Sequence, residues 1–232
     1  MQFISTFLFI LITSFAFGQA NFNYPKIKYQ GRNYKDFIPV GWTAIDTAEG
    51  DINKDMIKDA ALVLQCKKSI RTINEGDTLT THPRMLIVLL QNTQNQTFKL
   101  ATQSNTFIIN SDNPTLEDPY QEIEITKGIL MVKFQLFYNM GSWYTTNTSY
   151  KFHYQNNQFA LIGADYYSFH RATHDYEEYS FNFLSKKRSL TKGNEKEKIK
   201  KTTWSAIKIS ELKTLETLKK PFDWEIEEGI LL

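Results

Sequence analysis

Two segments do most to limit what this chain can fold into. Residues 60–66 (AALVLQC) and 85–91 (MLIVLLQ) are nearly continuous apolar runs of strand length, which predicts central strands of a sheet. Around them the pattern alternates. Residues 121–126 (QEIEIT) lead through Lys127-Gly128 into 129–138 (ILMVKFQLFY), a hairpin whose glycine supplies the turn. Tyr150, Phe152 and Tyr154 alternate up to Asn156-Asn157, and residues 158–167 (QFALIGADYY) follow. Paired asparagines tolerate the positive φ of a tight two-residue turn, so this is the clearest hairpin signal in the chain. Tyr179, Phe181 and Phe183 continue the period of two.

One stretch reads as a helix. Ile209, Leu212, Leu215 and Leu218 fall every third residue, Ser210 stands where a cap would, and Pro221 stops the run, so a helix is expected near 209–219. The expected fold is mainly β, a β-rich α+β class. It has antiparallel sheets, as a sandwich or partial barrel, with one C-terminal helix. No repeat at a propeller or solenoid period is seen.

The composition fits such a domain. The 232 residues carry 27 Lys+Arg against 25 Asp+Glu, a formal net charge of +2, and 14% aromatic residues. A balance that near zero argues against a dedicated nucleic-acid binder. The single cysteine, Cys66, forms no internal disulfide and sits in an apolar run, where it packs as a small hydrophobe. Positive charge is concentrated in residues 186–201, with eight basic and two acidic side chains. Lysines of that density read as a solvated sheet edge, with an anionic lipid or polysaccharide partner as the rival.

Residues 1–20 contain no charged side chain, and an apolar run over 3–17 is followed by Ala16-Phe17-Gly18-Gln19-Ala20. An apolar stretch followed by a small-residue cleavage site has the order of a secretory signal peptide. Cleavage is expected after Gly18 or Ala20, leaving 21–232 as a single β-rich domain. The run is shorter than the roughly 20 residues a membrane-spanning helix needs. The expectation is an exported protein, periplasmic or secreted, with no membrane span after cleavage.

The sharpest chemical signal is residues 50–59 (GDINKDMIKD). Counting Asp51 as position 1, oxygen-bearing side chains stand at 1, 3, 5 and 9: Asp51, Asn53, Asp55 and Asp59. Ile57, at position 7, offers its carbonyl. Hard oxygen donors at that spacing suit Ca2+, whereas zinc would want nitrogen or sulfur. Position 12, where an EF-hand would carry a bidentate Glu, is Leu62. The loop instead resembles the calcium loops of the FG-GAP/VCBS repeat family, D-x-[DN]-x-D-G-x-x-D followed by an apolar strand. The departure is Met56, which stands where the family has glycine. A single copy implies no propeller.

The order of a leader, one such loop, Gly141-Ser142-Trp143, Leu161-Ile162-Gly163, Ser168-Phe169-His170-Arg171 and Asn182-Phe183-Leu184 is similar to that of exported bacterial proteins described as VCBS repeat-containing. That resemblance implies location and fold, not an activity.

Asp112, Asn113, Glu117 and Asp118 lie in residues 111–119 (SDNPTLEDP), where two prolines among acidic residues read as a rigid turn, with a cation site or hydrolytic carboxylate pair as the rival. Tyr166 to Tyr179 is the densest aromatic and His segment, either a core face or a stacking platform. His170 and His174 would share a metal only on a helix, and none is expected there. Ser142 lacks the flanking glycines of a nucleophile elbow. No catalytic residue is assigned.

The expected function is therefore non-enzymatic. It is an exported domain with a structural Ca2+ loop (Asp51, Asn53, Asp55, Ile57, Asp59) that binds a glycan or protein partner. Trp143, Tyr144, Phe169, His170 and Arg171 are the candidate contacts. The alternatives are a hydrolase of envelope polysaccharide or peptide, using the 112–118 loop or Asp165, Glu177 and Glu178, and a periplasmic inhibitor or immunity-type protein.

Overall fold

A computed structural model describes residues 22–74 and 77–232. The expected leader over residues 1–20 lies outside the described residues. The two apolar runs form β3 (Asp59–Cys66) and β6 (Arg84–Gln91). They pair at the middle of a five-stranded antiparallel sheet, flanked by β2 (Trp42–Gly50) on one side. On the other side lie β7 (Phe98–Ser104) and the short β1 (Gln30–Gly31).

Both faces of β3 and β6 are buried, and so the runs carry no alternation. Ala61, Val63, Leu86 and Val88 face the second sheet. Ala60, Leu62, Leu64, Met85, Ile87 and Leu89 face the N-terminal segment, where Ile27, Phe37 and Trp42 cover them. A short β4 (Ile70–Asn74) and β5 (Asp77–Thr81) form a separate hairpin between β3 and β6.

The second sheet is a seven-stranded antiparallel meander in sequence order. Its strands are β8 (Tyr120–Thr126), β9 (Ile129–Phe137), β10 (Tyr144–Gln155), β11 (Gln158–His170), β12 (Asp175–Asn182), β13 (Lys187–Asn194) and β14 (Ile199–Ala206). The turn residues explain the register. Lys127 and Gly128 have φ of 54° and 77°, and Asn156 and Asn157 have φ of 51° and 58°. Positive φ at both central positions matches the twist of the flanking strands.

Inward residues, among them Val132, Phe134, Tyr150, Phe152, Leu161 and Phe181, meet the five-stranded sheet in the main core. Phe107 joins from the preceding loop, edge-on to Phe134, Tyr150 and Phe152 at 5.3–6.0 Å. The sheets are also clasped by polar groups. Asp46, at a bulge in β2, accepts from the Tyr120 hydroxyl (2.6 Å) and the Ile123 amide (3.1 Å) beside a bulge in β8.

Among the described residues the architecture is mainly β with open antiparallel sheets, no closed barrel and one short helix. No helix among them is long and apolar enough to cross a membrane. The basic segment forms the β13–β14 hairpin, and every residue of β14, the sheet edge, is exposed.

The C-terminal helix is far shorter than the i, i+3 spacing predicts. Only α1 (Leu215–Leu218) is helical, capped by Thr214. Upstream, the chain is taken as an extra edge segment where β11 begins before its pairing with β12. Leu161 donates to the Lys213 carbonyl at 2.8 Å, and Ala160 bridges Thr214. Ile209 and Leu212 still pack against the core on either side of a bend, so their spacing reports burial of an irregular segment, not a helical stripe. The chain ends in a small β15 (Glu225–Glu227) and β16 (Ile230–Leu231) ribbon.

Candidate functional site

Between β2 and β3 the residues 51–58 form a loop tied by its own side chains. Asp51 accepts from the amides of Asp55 (3.1 Å) and Met56 (2.9 Å). Asn53 Oδ1 accepts from the Asp55 amide at 3.1 Å, and its Nδ2 donates to Asp55 at 2.9 Å. Asp55 also accepts from the Ile57 amide at 2.9 Å. These short side-chain-to-backbone bonds curl the chain tightly, and Lys54 and Met56 take φ of 64° and 69°. Met56 therefore adopts the left-handed conformation that glycine would hold without strain, with its side chain in solvent.

The base of the loop is fixed at two points. Ile52 is fully buried in the main core. Asp59 is also fully buried, and its carboxylate accepts from the amides of Ile52 (2.9 Å), Asn53 (3.4 Å) and, across the sheet, Gln91 (2.9 Å). Burial raises its pKa above the ordinary carboxylate value against the pull of those amides. The spacing groups Asp59 with the other donors. The structure gives it a structural task in addition, anchoring the loop to β6.

The oxygen donors that remain together are the two carboxylates of Asp51 and Asp55, with the Asn53 amide between them. A carboxylate has about four lone-pair sites, so each keeps acceptor capacity after these bonds. The donor set is all oxygen and suits a hard cation. Among the described residues no three His, Cys, Asp or Glu side chains gather as a group able to hold a metal ion.

The second candidate region is the end of the β10–β11 hairpin opposite Asn156-Asn157. Trp143 (65% exposed), Tyr144 and Met140 stand out from the connection between β9 and β10. Arg171 holds that connection in place. Its side chain donates to the carbonyls of Tyr138, Ser142 and Trp143, its amide donates to Trp143 O at 2.9 Å, and its guanidinium lies 4.6 Å from the Phe137 ring. Tyr144 meets His170 edge-on at 4.8 Å. A depression of about 480 Å³ lies between Met140, Trp143 and Arg171.

Four of the five expected contacts thus cluster at this end. Phe169 pairs with Thr145, whereas Tyr144 pairs with His170, so it lies on the other face from those two and shares a depression with Arg171 there. His170 and His174 lie at a strand end and in a tight turn, where His170 Nδ1 accepts from the Thr173 amide.

The aromatic segment divides by strand period. Tyr166 and Tyr179 turn inward, 5.9 Å apart. Tyr167 and Tyr176 turn outward, 5.6 Å apart with their planes 32° from parallel. The Tyr167 hydroxyl donates to Glu195 at 3.1 Å, and partial burial, then Glu195, push its pKa up to about 12. The sequence signal for this pair was present, because adjacent Tyr166 and Tyr167 on one strand must take opposite faces. Glu195 comes from the turn after β13, and no local pattern points to it.

The carboxylates weighed for hydrolysis are dispersed. Asp118 clamps Arg84 through two bonds of 2.5 and 2.6 Å. Asp165 is held by Lys151, Ser149 and Ser180 on the outer face. Glu177 pairs with Lys192 at 2.5 Å. Burial raises the pKa of Asp112. Cys66 is buried and free.

No protein-family model, curated protein or solved structure matches this chain.

Proposed function

We propose that this chain is an exported, non-enzymatic β-rich domain of the VCBS/FG-GAP-like kind. Its loop over residues 51–59 takes a structural calcium ion, and it binds a glycan or protein partner outside the cytoplasm. The observation that carries this reading is the Asp55 amide, which sits 3.1 Å from both Asp51 Oδ1 and Asn53 Oδ1. It draws the oxygen-bearing side chains of positions 1, 3 and 5 around one turn. Asp51, Asn53, Asp55 and the Ile57 carbonyl would hold the ion above the base that Asp59 anchors. Calcium supplies positive charge to carboxylates that otherwise repel one another. The chain's own groups set the loop's curl, its attachment to β6 and its contact with the β8–β9 turn, where a Cβ on Gly128 would stand 2.9 Å from Lys54.

Support for partner binding comes from the Trp143 end. An exposed Trp and Tyr held on a connection that Arg171 already fixes lose little freedom when a ligand arrives. The leader-like residues 1–20 support the exported location.

The test is thermal unfolding in EDTA and in millimolar calcium. At about 100 times Kd, a ligand specific for the folded state adds ~2.7 kcal/mol. For a chain of this size that is a rise of roughly 5–10 °C in Tm. Asp55→Ala is expected to abolish the difference. Equal Tm values in the two buffers would remove the calcium part of the reading.

A further inference from the structure

The outer face of the seven-stranded sheet is covered by no other described element, and it is not a plain solvated surface. Three depressions of about 370, 450 and 550 Å³ adjoin on it, and Tyr167 lines all three. Together they run from Gln135 on β9 to Lys200 on β14. Five inter-strand steps of about 4.8 Å give a trough of roughly 24 Å, long enough for an extended chain and longer than a single small molecule needs.

The trough floor is built before any ligand arrives. Tyr176 lies directly over Gly193, where an added Cβ would come within 2.6 Å of the Tyr176 ring. The Tyr167 hydroxyl is tied to Glu195. Two fixed rings beside each other offer π-faces to the C–H faces of pyranose rings, with little ordering cost left. Asn147, Gln135 and Asn194 bring amides, and Glu178, Glu195, Lys198 and Lys200 line the same depression as the ring pair.

The charge pattern decides among occupants. A polyol both donates and accepts, so its hydroxyls match carboxylates and ammonium groups in balance and bring no net charge. Glu117, Asp165, Glu178 and Glu195 offset Lys133, Arg171, Lys198 and Lys200 along the lining, so the phosphates of a nucleic acid would meet no cationic excess. A protein partner would favour an uncharged centre, whereas here the central Tyr167 is flanked by two carboxylates.

We propose that this face binds a neutral polysaccharide laid across β9–β14, with Tyr167 and Tyr176 as its stacking floor. This rests on the reading of the chain as a binding domain, and it moves the main contact from the Trp143 end to the sheet face.

The test is calorimetric titration of the full chain with cellohexaose, laminarihexaose, xylohexaose and chitohexaose, and with hexagalacturonate as the acidic control. At least one neutral hexasaccharide is expected to bind. Tyr167→Ala and Tyr176→Ala should each weaken that binding about tenfold or more, with Tyr167→Phe close to the parent and Val40→Ala, fully exposed and outside this sheet, unchanged. If an alanine variant fails to fold, the exposed Glu178→Lys carries the test, and it too should weaken binding. Several outcomes would overturn the proposal: no neutral probe binding, tighter binding of hexagalacturonate, or binding unmoved by these variants. So would a dimer in light scattering that Tyr167→Arg separates, since it would give the face to a second copy. Sugar binding lost in Trp143→Ala but kept in Tyr167→Ala would also refute it, while leaving the loop-end reading standing.

Discussion

Replacing Asp118 by alanine would leave the Arg84 guanidinium with only two of its acceptors. Arg84 is 5% exposed, and it donates to the Gln65 side chain (2.8 Å), to the Ile109 carbonyl (3.1 Å) and to both oxygens of Asp118. Asp118 itself also accepts from the Tyr120 amide at 3.1 Å, so the pair joins β6 to the start of β8 through the 109–118 loop. Breaking a buried ion pair from one side costs about 3–5 kcal/mol. The Asp118 side chain is 47% exposed, so water reaches the abandoned guanidinium, and about 2–3 kcal/mol is expected instead. That corresponds to a fall in Tm of roughly 4–12 °C, with an unchanged denaturant m-value. The double variant Arg84→Met/Asp118→Leu removes both charges and should be less destabilised than Asp118→Ala alone. The assay is urea unfolding followed by tryptophan fluorescence. Asp118→Ala within about 0.5 kcal/mol of the parent would refute the clamp, since effects that small are typical of surface substitutions away from any special feature.

Two further outcomes follow from the backbone and from the buried phenols. Met56→Gly should stabilise the chain by about 0.5–1 kcal/mol, because relief of the left-handed strain exceeds the added backbone entropy. A lower urea midpoint would contradict this. Burial raises the pKa of Tyr120, with Asp46 adding to the effect, and burial raises that of Tyr150 as well. Above pH 10 the unfolded chain releases those protons while the folded chain keeps them. Stability is therefore full at neutral pH and falls by about 1.4 kcal/mol per pH unit per phenol as pH climbs past 10. Tyrosinate absorbance of the native protein should show these two phenols ionising only on unfolding, and titration of every tyrosine near pH 10 would refute it.

Much of the fold was legible because the β signal here is local. Asn156-Asn157 and Lys127-Gly128 fix two hairpins by their φ angles, and the apolar runs of β3 and β6 announce strands covered on both faces. The i, i+3 pattern of Ile209, Leu212, Leu215 and Leu218 predicts a longer helix than forms, because the four residues satisfy it in two different ways. The last two sit on a single helical turn, and the first two flank a bend in the irregular segment that leads to the Lys213–Thr214 contact with β11.

Of the candidate site, the loop was legible as a curl of Asp and Asn side chains, and Trp143, Tyr144, His170 and Arg171 do meet at one end. Contacts between distant strands were not. Asp118 meets Arg84 and Tyr167 meets Glu195 across 34 and 28 positions, distances that no local pattern carries. Met56 shows the converse: a residue that fits the left-handed region poorly adopts it because two Asp51 oxygens hold the backbone there.

The most direct measurement is a crystal structure of the chain grown in millimolar calcium. The calcium reading predicts one ion at about 2.3–2.6 Å from oxygens of Asp51, Asn53, Asp55 and the Ile57 carbonyl. A loop without an ion under those conditions, its side chains still bonded only to its own amides, would contradict it.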